Sequence, residues 1–190
     1  MRTAPPTLLP IFRSDAQARL LAEVFLSPEP LSVPEIAERT GISASTLRNE
    51  VPRLEAAGFI RSTTAGRTRL LAPDTDSPVH DDVASLIVKT LGPGVVLRAL
   101  LEDVEGIDEA YIFGSWAARM LGQDGPAPRD VDLLVVGRPR QFDIARVCRA
   151  AEETLGREVN PTTVTPAEWA ACAGAFLTEV ADGPRVDVWS

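Results

Sequence analysis

The sequence is poor in the residues that most often carry metal and redox chemistry. Its 190 residues include one histidine, His80, and two cysteines, Cys148 and Cys172. The cysteines are isolated and lack metal-ligand spacing, which excludes a Cys/His zinc cluster and predicts two buried, inert thiols. No apolar run approaches the roughly 18 residues that a membrane span needs. The opening stretch, MRTAPPTLLPIFRSD, has an apolar patch broken by proline. A signal peptide would show a longer apolar core and a small-residue cleavage site, so a cytoplasmic protein is expected. No internal repeat and no low-complexity segment is visible.

What is present is an uneven division of charge. The formal net charge is −8, but residues 1–73 carry nine Arg against seven Asp or Glu. Residues 74–190 carry ten Lys or Arg against twenty Asp or Glu. Such asymmetry predicts two domains with different partners, the N-terminal one being the candidate for nucleic acid. Asp74-Thr75-Asp76-Ser77-Pro78 has linker composition, which sets domains at 1–73 and 79–190.

In the first domain, residues 14–26 place Ala18, Leu21, Ala22, Phe25 and Leu26 at helical spacing, with Ser14 or Asp15 as N-cap. A second helix starts at Leu31-Ser32-Val33, with Ser32 as cap and Pro34 in the first turn. A third runs from Ala44 to Ala57 with Leu47, Val51 and Leu54 inward and Pro52, a kink candidate, in its interior. Phe59 to Ser62 and Arg67 to Leu71, around a turn at Thr63 to Gly66, predict a β-hairpin.

Helix, helix, GISASTLRNEVPRLEAAGFI and GRTRLL, in that order, resemble the ArsR/MarR-type winged helix-turn-helix. The resemblance covers roughly residues 14–72 and implies double-stranded DNA as partner and a homodimer. It implies that Ser45, Thr46, Arg48 and Asn49 face the major groove and that Arg61, Arg67 and Arg69 of the wing grip phosphate. Arg and Asn side chains read guanine and adenine edges, while Ser and Thr mostly hold phosphates. The plainer alternative is a protein-contact winged helix with solvated arginines. Residues 48–69 hold five Arg against two Glu, which favours DNA.

The second domain is organised around Ala110–Gly137, AYIFGSWAARMLGQDGPAPRDVDLLVVG. DLLVV is short and apolar enough for a buried strand, on which Asp130 and Asp132 share one face. Two neighbouring carboxylates repel unless a cation lies between them, and Mg2+ uses such oxygen pairs with phosphates as further ligands. Gly114 allows close backbone approach and Ser115 opens a helix whose free N–H groups favour anions. Helices are expected at 79–91, 95–104, Ser115–Leu121 and Phe142–Leu155. Strands are expected at Ile107–Phe113, Val131–Val136, Arg157–Val164 and Arg185–Trp189, and helical pieces at 166–175 and 176–180. The fold class is therefore α+β, a winged helix followed by an α/β domain with a small mixed sheet.

Gly-Ser, a helix, then Asp-x-Asp on a strand resembles the DNA polymerase β-type nucleotidyltransferases, in particular their minimal branch, known from antitoxins and from fusions to DNA-binding domains. The resemblance covers about residues 95–165. It implies that Gly114 and Ser115 bind nucleotide and that Asp130 and Asp132 are catalytic and Mg2+-binding, with a nucleoside triphosphate and a partner protein such as a toxin. The chain departs from the pattern in three places. The third acid is replaced by Asn160, with Glu158 two residues earlier on the same strand face. Arg119 is displaced by one position, and the loop bearing Gly125-Pro126-Ala127-Pro128 is longer. Trp116 and Trp189 are candidates to stack a base, though core packing is the commoner role, and Asp187 suits a sheet edge better than a metal. Three functions stay open: a DNA-binding regulator with a nucleotide-sensing or partner-binding domain, a nucleotidyltransferase, or a scaffold with neither activity.

Overall fold

The computed structural model describes residues 11–123, 125 and 127–189. The opening stretch through Pro10, and Asp124 and Pro126 of the Gly/Pro loop, lie outside the described residues. The chain divides into two compact units, Met1–Leu91 and Gly92–Ser190. The segment 74–78 thus lies within the first unit rather than between domains.

The first unit begins with α1 (Asp15–Leu26), whose N-cap is Ser14, accepting from the Gln17 amide. Strand β1 (Leu31–Ser32) precedes α2 (Val33–Thr40) and α3 (Ala44–Ala56), and the hairpin strands are β2 (Ile60–Ala65) and β3 (Thr68–Pro73). Leu31-Ser32 was expected to open the second helix. Ser32 is its N-cap, but a cap has extended backbone, and here that backbone pairs with Leu70 and Leu71. The sheet therefore has three antiparallel strands in the order β1-β3-β2. The hairpin is also longer than expected, with Ala65 opposite Thr68, so Gly66 and Arg67 form its tip.

Leu20, Leu21, Val24, Ile36, Leu47, Val51, Leu54, Ile60 and Leu71 are buried together as the core of this unit. The last helix, α4 (His80–Leu91), packs on α1, where the His80 ring stacks on Phe25 at 5.9 Å. Its packing on α1 is why the unit extends past the 74–78 segment.

The start of α2 is held by a reciprocal cap. Ser32 Oγ accepts from the Glu35 amide, and the Glu35 carboxylate accepts from the Ser32 amide at 2.7 Å and from its hydroxyl at 2.6 Å. These hydrogen bonds hold the Glu35 carboxyl below its ordinary range. Ser32→Ala removes both a cap and a partner of Glu35, so it destabilises the first unit by about 1 kcal/mol. Thermal unfolding measures that loss as a drop in Tm.

The second unit contains α5 (Pro93–Leu101), β4 (Ile107–Phe113), α6 (Gly114–Met120), β5 (Asp130–Gly137), α7 (Gln141–Leu155) and β6 (Glu158–Val164). It ends with α8 (Pro166–Ala170), α9 (Ala175–Asp182) and β7 (Arg185–Asp187). The sheet order is β6-β5-β4-β7. β5 and β6 are parallel, joined through α7, and the other two pairings are antiparallel, so the sheet is mixed as expected. Val131, Leu133 and Val135 on one face, with Ile112, Ala110 and the α7 residues Ile144, Val147 and Ala151, form a fully buried layer. The opposite face carries Leu134 and Val136, which pack against Leu177 and Val180 of α9.

Two expectations change. Cys148 is buried, and burial raises its thiol to about 11, but Cys172 is exposed in the short segment between α8 and α9. By length and composition His80–Leu101 is also apolar enough for a membrane span, although no single apolar run in the sequence suggested one. Core helices meet the same criterion, and the stretch carries Asp81, Asp82 and Lys89 and is interrupted at Gly92.

Candidate nucleic-acid interface and acidic site

Helix α3 starts at Ser43, whose hydroxyl accepts from the Thr46 amide and bonds the hydroxyls of Ser45 at 2.9 Å and Thr46 at 2.8 Å. Leu47, Val51 and Leu54 turn inward, which leaves Ser45, Arg48 and Asn49 exposed and Thr46 half-exposed. The four expected groove residues therefore lie on one exposed side of one helix. Pro52 sits inside α3, where it leaves the Arg48 carbonyl without its intrahelical donor.

The wing arginines are not equivalent. Arg69 contacts both oxygens of Glu55 at 2.5 Å, and Arg61 lies 3.4 Å from Asp76. Burial would raise the Glu55 carboxyl, but the hydrogen bonds from Arg69 and Ser62 outweigh it and leave it lowered. Arg67 is exposed at the hairpin tip, and neither it nor Arg48 has an ion-pair partner among the described residues. Missing from the sequence reading was Glu50, which is 6% exposed on the inner side of α3 and paired with Arg13 and Arg53. Its spacing of three after Leu47 and four before Leu54 already placed it on the apolar face.

The acidic site lies at the start of β5. Asp130 and Asp132 share a sheet face with Leu134 and Val136, opposite Glu158 and Asn160 in the parallel register with β6. Asn160 Nδ2 donates to Asp130 Oδ2 at 3.0 Å. Desolvation and then the neighbouring Asp130 charge raise the Asp132 carboxyl, and hydrogen bonding from Asn160 partly offsets them. Asn160 is thus bonded to Asp130 and lies opposite Asp132 in the register.

Gly114 abuts this pair. It has φ +66, and a Cβ there would stand 2.9 Å from Asp132 Oδ2, so both backbone conformation and space require glycine. Ser115 is exposed at the start of α6, a helix of 7 residues. The structure thus brings Gly114, Asp130, Asp132 and Asn160 together. It does not bring in Glu158 as a third acid: among the described residues no three His, Cys, Asp or Glu side chains are grouped to hold a metal ion.

Trp116 is buried under the Arg157 guanidinium at 5.0 Å and so is a core residue, not a stacking platform. Asp187 lies on the edge strand opposite Tyr111 and accepts from the Trp189 amide at 2.8 Å, as its edge placement suggested. At the far end of the face, Tyr111 and Trp169 both donate to Glu109 Oε2, at 2.6 Å and 3.1 Å. That bond, with burial, pushes the Tyr111 phenol up to about 12.

Residues 13–69 match the sequence model of the MarR family. The N-terminal unit carries a MarR-family winged helix-turn-helix. The match spans the helices α1 to α3 and strand β2, and ends at the start of β3. Reduced HlyU from Vibrio cholerae aligns with the chain at 21% identity and TM-score 0.36, over 43% of this chain and 82% of HlyU. The transcriptional regulator BldR from Sulfolobus solfataricus aligns at 24% identity and TM-score 0.39, over 52% of this chain and 68% of BldR. At those scores neither likeness carries functional weight. No curated protein matches the chain.

Proposed function

We propose that the protein is a DNA-binding transcriptional regulator that acts in the cytoplasm as a homodimer. The observation that carries the reading is the exposed row Ser45, Arg48 and Asn49 on α3, with Arg67 at the tip of the wing, in a segment matching the MarR family. Side chains of those types on one face of a helix suit base edges and phosphates in a major groove. Footprinting on the DNA upstream of its own coding sequence tests the reading. Protection of a discrete site supports it, and absence of any protection at low salt overturns it.

A second reading concerns the C-terminal unit. The Gly114–Asp132 approach and the paired carboxylates suit a site for a nucleoside triphosphate and one Mg2+, with Asp130 and Asp132 as the charged ligands and Gly114 and Ser115 beside the phosphates. The residues present fit one such cation rather than a three-carboxylate catalytic centre. Asn160 offers at most a neutral oxygen and cannot accept a proton as a general base. Binding is therefore favoured over the alternative, an active nucleotidyltransferase acting on a protein, as in an antitoxin, or on a small molecule.

Added carboxylate charge strengthens Mg2+ sites. Asn160→Asp is expected to tighten Mg2+ binding by about tenfold, read by calorimetry with Asp132→Asn as control. Equal affinity in Asn160→Asp and the unsubstituted protein would remove Asn160 from the site.

A further inference from the structure

Glu50 is an unusual residue for the inner side of an apolar helix. Its carboxylate is buried, with Oε1 paired to Arg13, just before the α1 cap, and to Arg53 Nη1 at 3.3 Å on α3 itself. Oε2 is buried without a hydrogen-bond partner. Both arginines keep more than half of their side chains exposed, 53% for Arg13 and 59% for Arg53. One buried anion thus holds two solvent-facing cations. As a stabilising device this is weak, because burying the carboxylate costs about as much as the pairs return.

Position on α3 gives the arrangement a use. Arg53 follows Asn49 by four residues and Thr46 by seven, so the three form one row along the helix. The row leads from the hydroxyls at the N-terminal end of α3 to a guanidinium two turns later. Glu50 limits the rotamer freedom of that guanidinium and so lowers the entropy lost when it meets a fixed phosphate.

We infer that Arg53 is a DNA-phosphate contact and that Glu50 is the positioning residue that aims it, with Arg13 as a second cation held at the same edge. The inference rests on the DNA-binding reading above. It makes a sign prediction that bare electrostatics does not. Neutralising Glu50 removes a negative charge from a DNA-facing helix, which by charge alone strengthens binding. If Glu50 aims Arg53, its neutralisation weakens binding.

The experiment is a salt titration of full-chain binding to a fluorescent random-sequence duplex of about 30 base pairs, with unsubstituted protein, Arg53→Ala, Glu50→Gln and Arg19→Ala. Arg19 lies on α1 and pairs with Asp15, and serves as the charge-matched control. Arg53→Ala is expected to flatten the slope of log K against log salt by about 0.9 and Arg19→Ala to leave it unchanged. Glu50→Gln is expected to weaken binding several-fold at low salt. Its folding is checked by circular dichroism, and if it does not fold, Arg53→Lys replaces it as the test of aim, since it keeps charge but loses the planar fork. Arg53→Ala behaving as Arg19→Ala, or a folded Glu50→Gln or Arg53→Lys binding as tightly as the unsubstituted protein, overturns the inference. Failure of the unsubstituted protein to bind any duplex instead overturns the DNA-binding reading itself.

Discussion

The Arg48→Ala/Arg67→Ala double variant is expected to lose on the order of 100-fold in affinity for the protein's own upstream DNA. Arg48 and Arg67 are exposed and, among the described residues, have no ion-pair partner, so each meets DNA with its full charge. A guanidinium reading a base edge contributes about 1–3 kcal/mol of discrimination, and a phosphate contact releases close to one counterion. Losing one contact of each kind accounts for that drop and flattens the salt dependence. Arg61→Ala and Arg69→Ala are expected to cost less, because Asp76 and Glu55 already neutralise those side chains. Filter binding or anisotropy on single alanine variants of Arg48, Arg61, Arg67 and Arg69 ranks the four positions. Equal losses at all four positions would show that the ion pairs do not discriminate among the wing arginines.

The largest expected effect on stability is at Gly137. This residue ends β5 with φ +144, a conformation L side chains rarely adopt. A Cβ there would lie 2.2 Å from the Gly106 carbonyl oxygen and 3.1 Å from the Asp108 amide, both backbone atoms. The Gly106 carbonyl also accepts from the Arg138 amide at 2.7 Å, so it cannot retreat without losing that bond. The β4–β5 register is already irregular between Ile107 and Glu109. Gly137→Ala therefore combines backbone strain with a clash no side-chain motion relieves, at a cost of about 3 kcal/mol or more. Calorimetry is expected to show the unfolding of the second unit shifted down by roughly 10 °C or more. An unchanged transition would mean that this turn is free to rearrange.

Much of this fold was legible because periodicity and punctuation agree. Leu47, Val51 and Leu54 mark the inner side of α3, and Ser32 with Glu35 marks the start of α2. Asp130 and Asp132 alternate with Val131 and Leu133 as a strand requires. The readings that failed depended on long-range partners. Leu31-Ser32 becomes a strand only because Leu70 and Leu71 lie beside it. The ion pairs of Arg61 and Arg69 join residues 15 and 14 positions apart, beyond what local spacing reveals.

At the acidic site the sequence placed Asp130 and Asp132 on one strand face, with Asn160 where the resemblance implies a third acid. It could not show that the Asn160 amide bonds Asp130, because that follows from the β5–β6 register. Glu158 shares the register but does not complete a group of three acids. The same residue spacing is therefore compatible with a catalytic site and with the hydrogen-bonded pair observed.

The most direct test of the account is a salt titration of the unsubstituted protein on its own upstream duplex. With Arg53 and Arg67 each releasing close to one counterion, log K is expected to fall against log salt with a slope of about −2 or steeper for each winged helix. A slope near zero, or no binding at low salt, would contradict it.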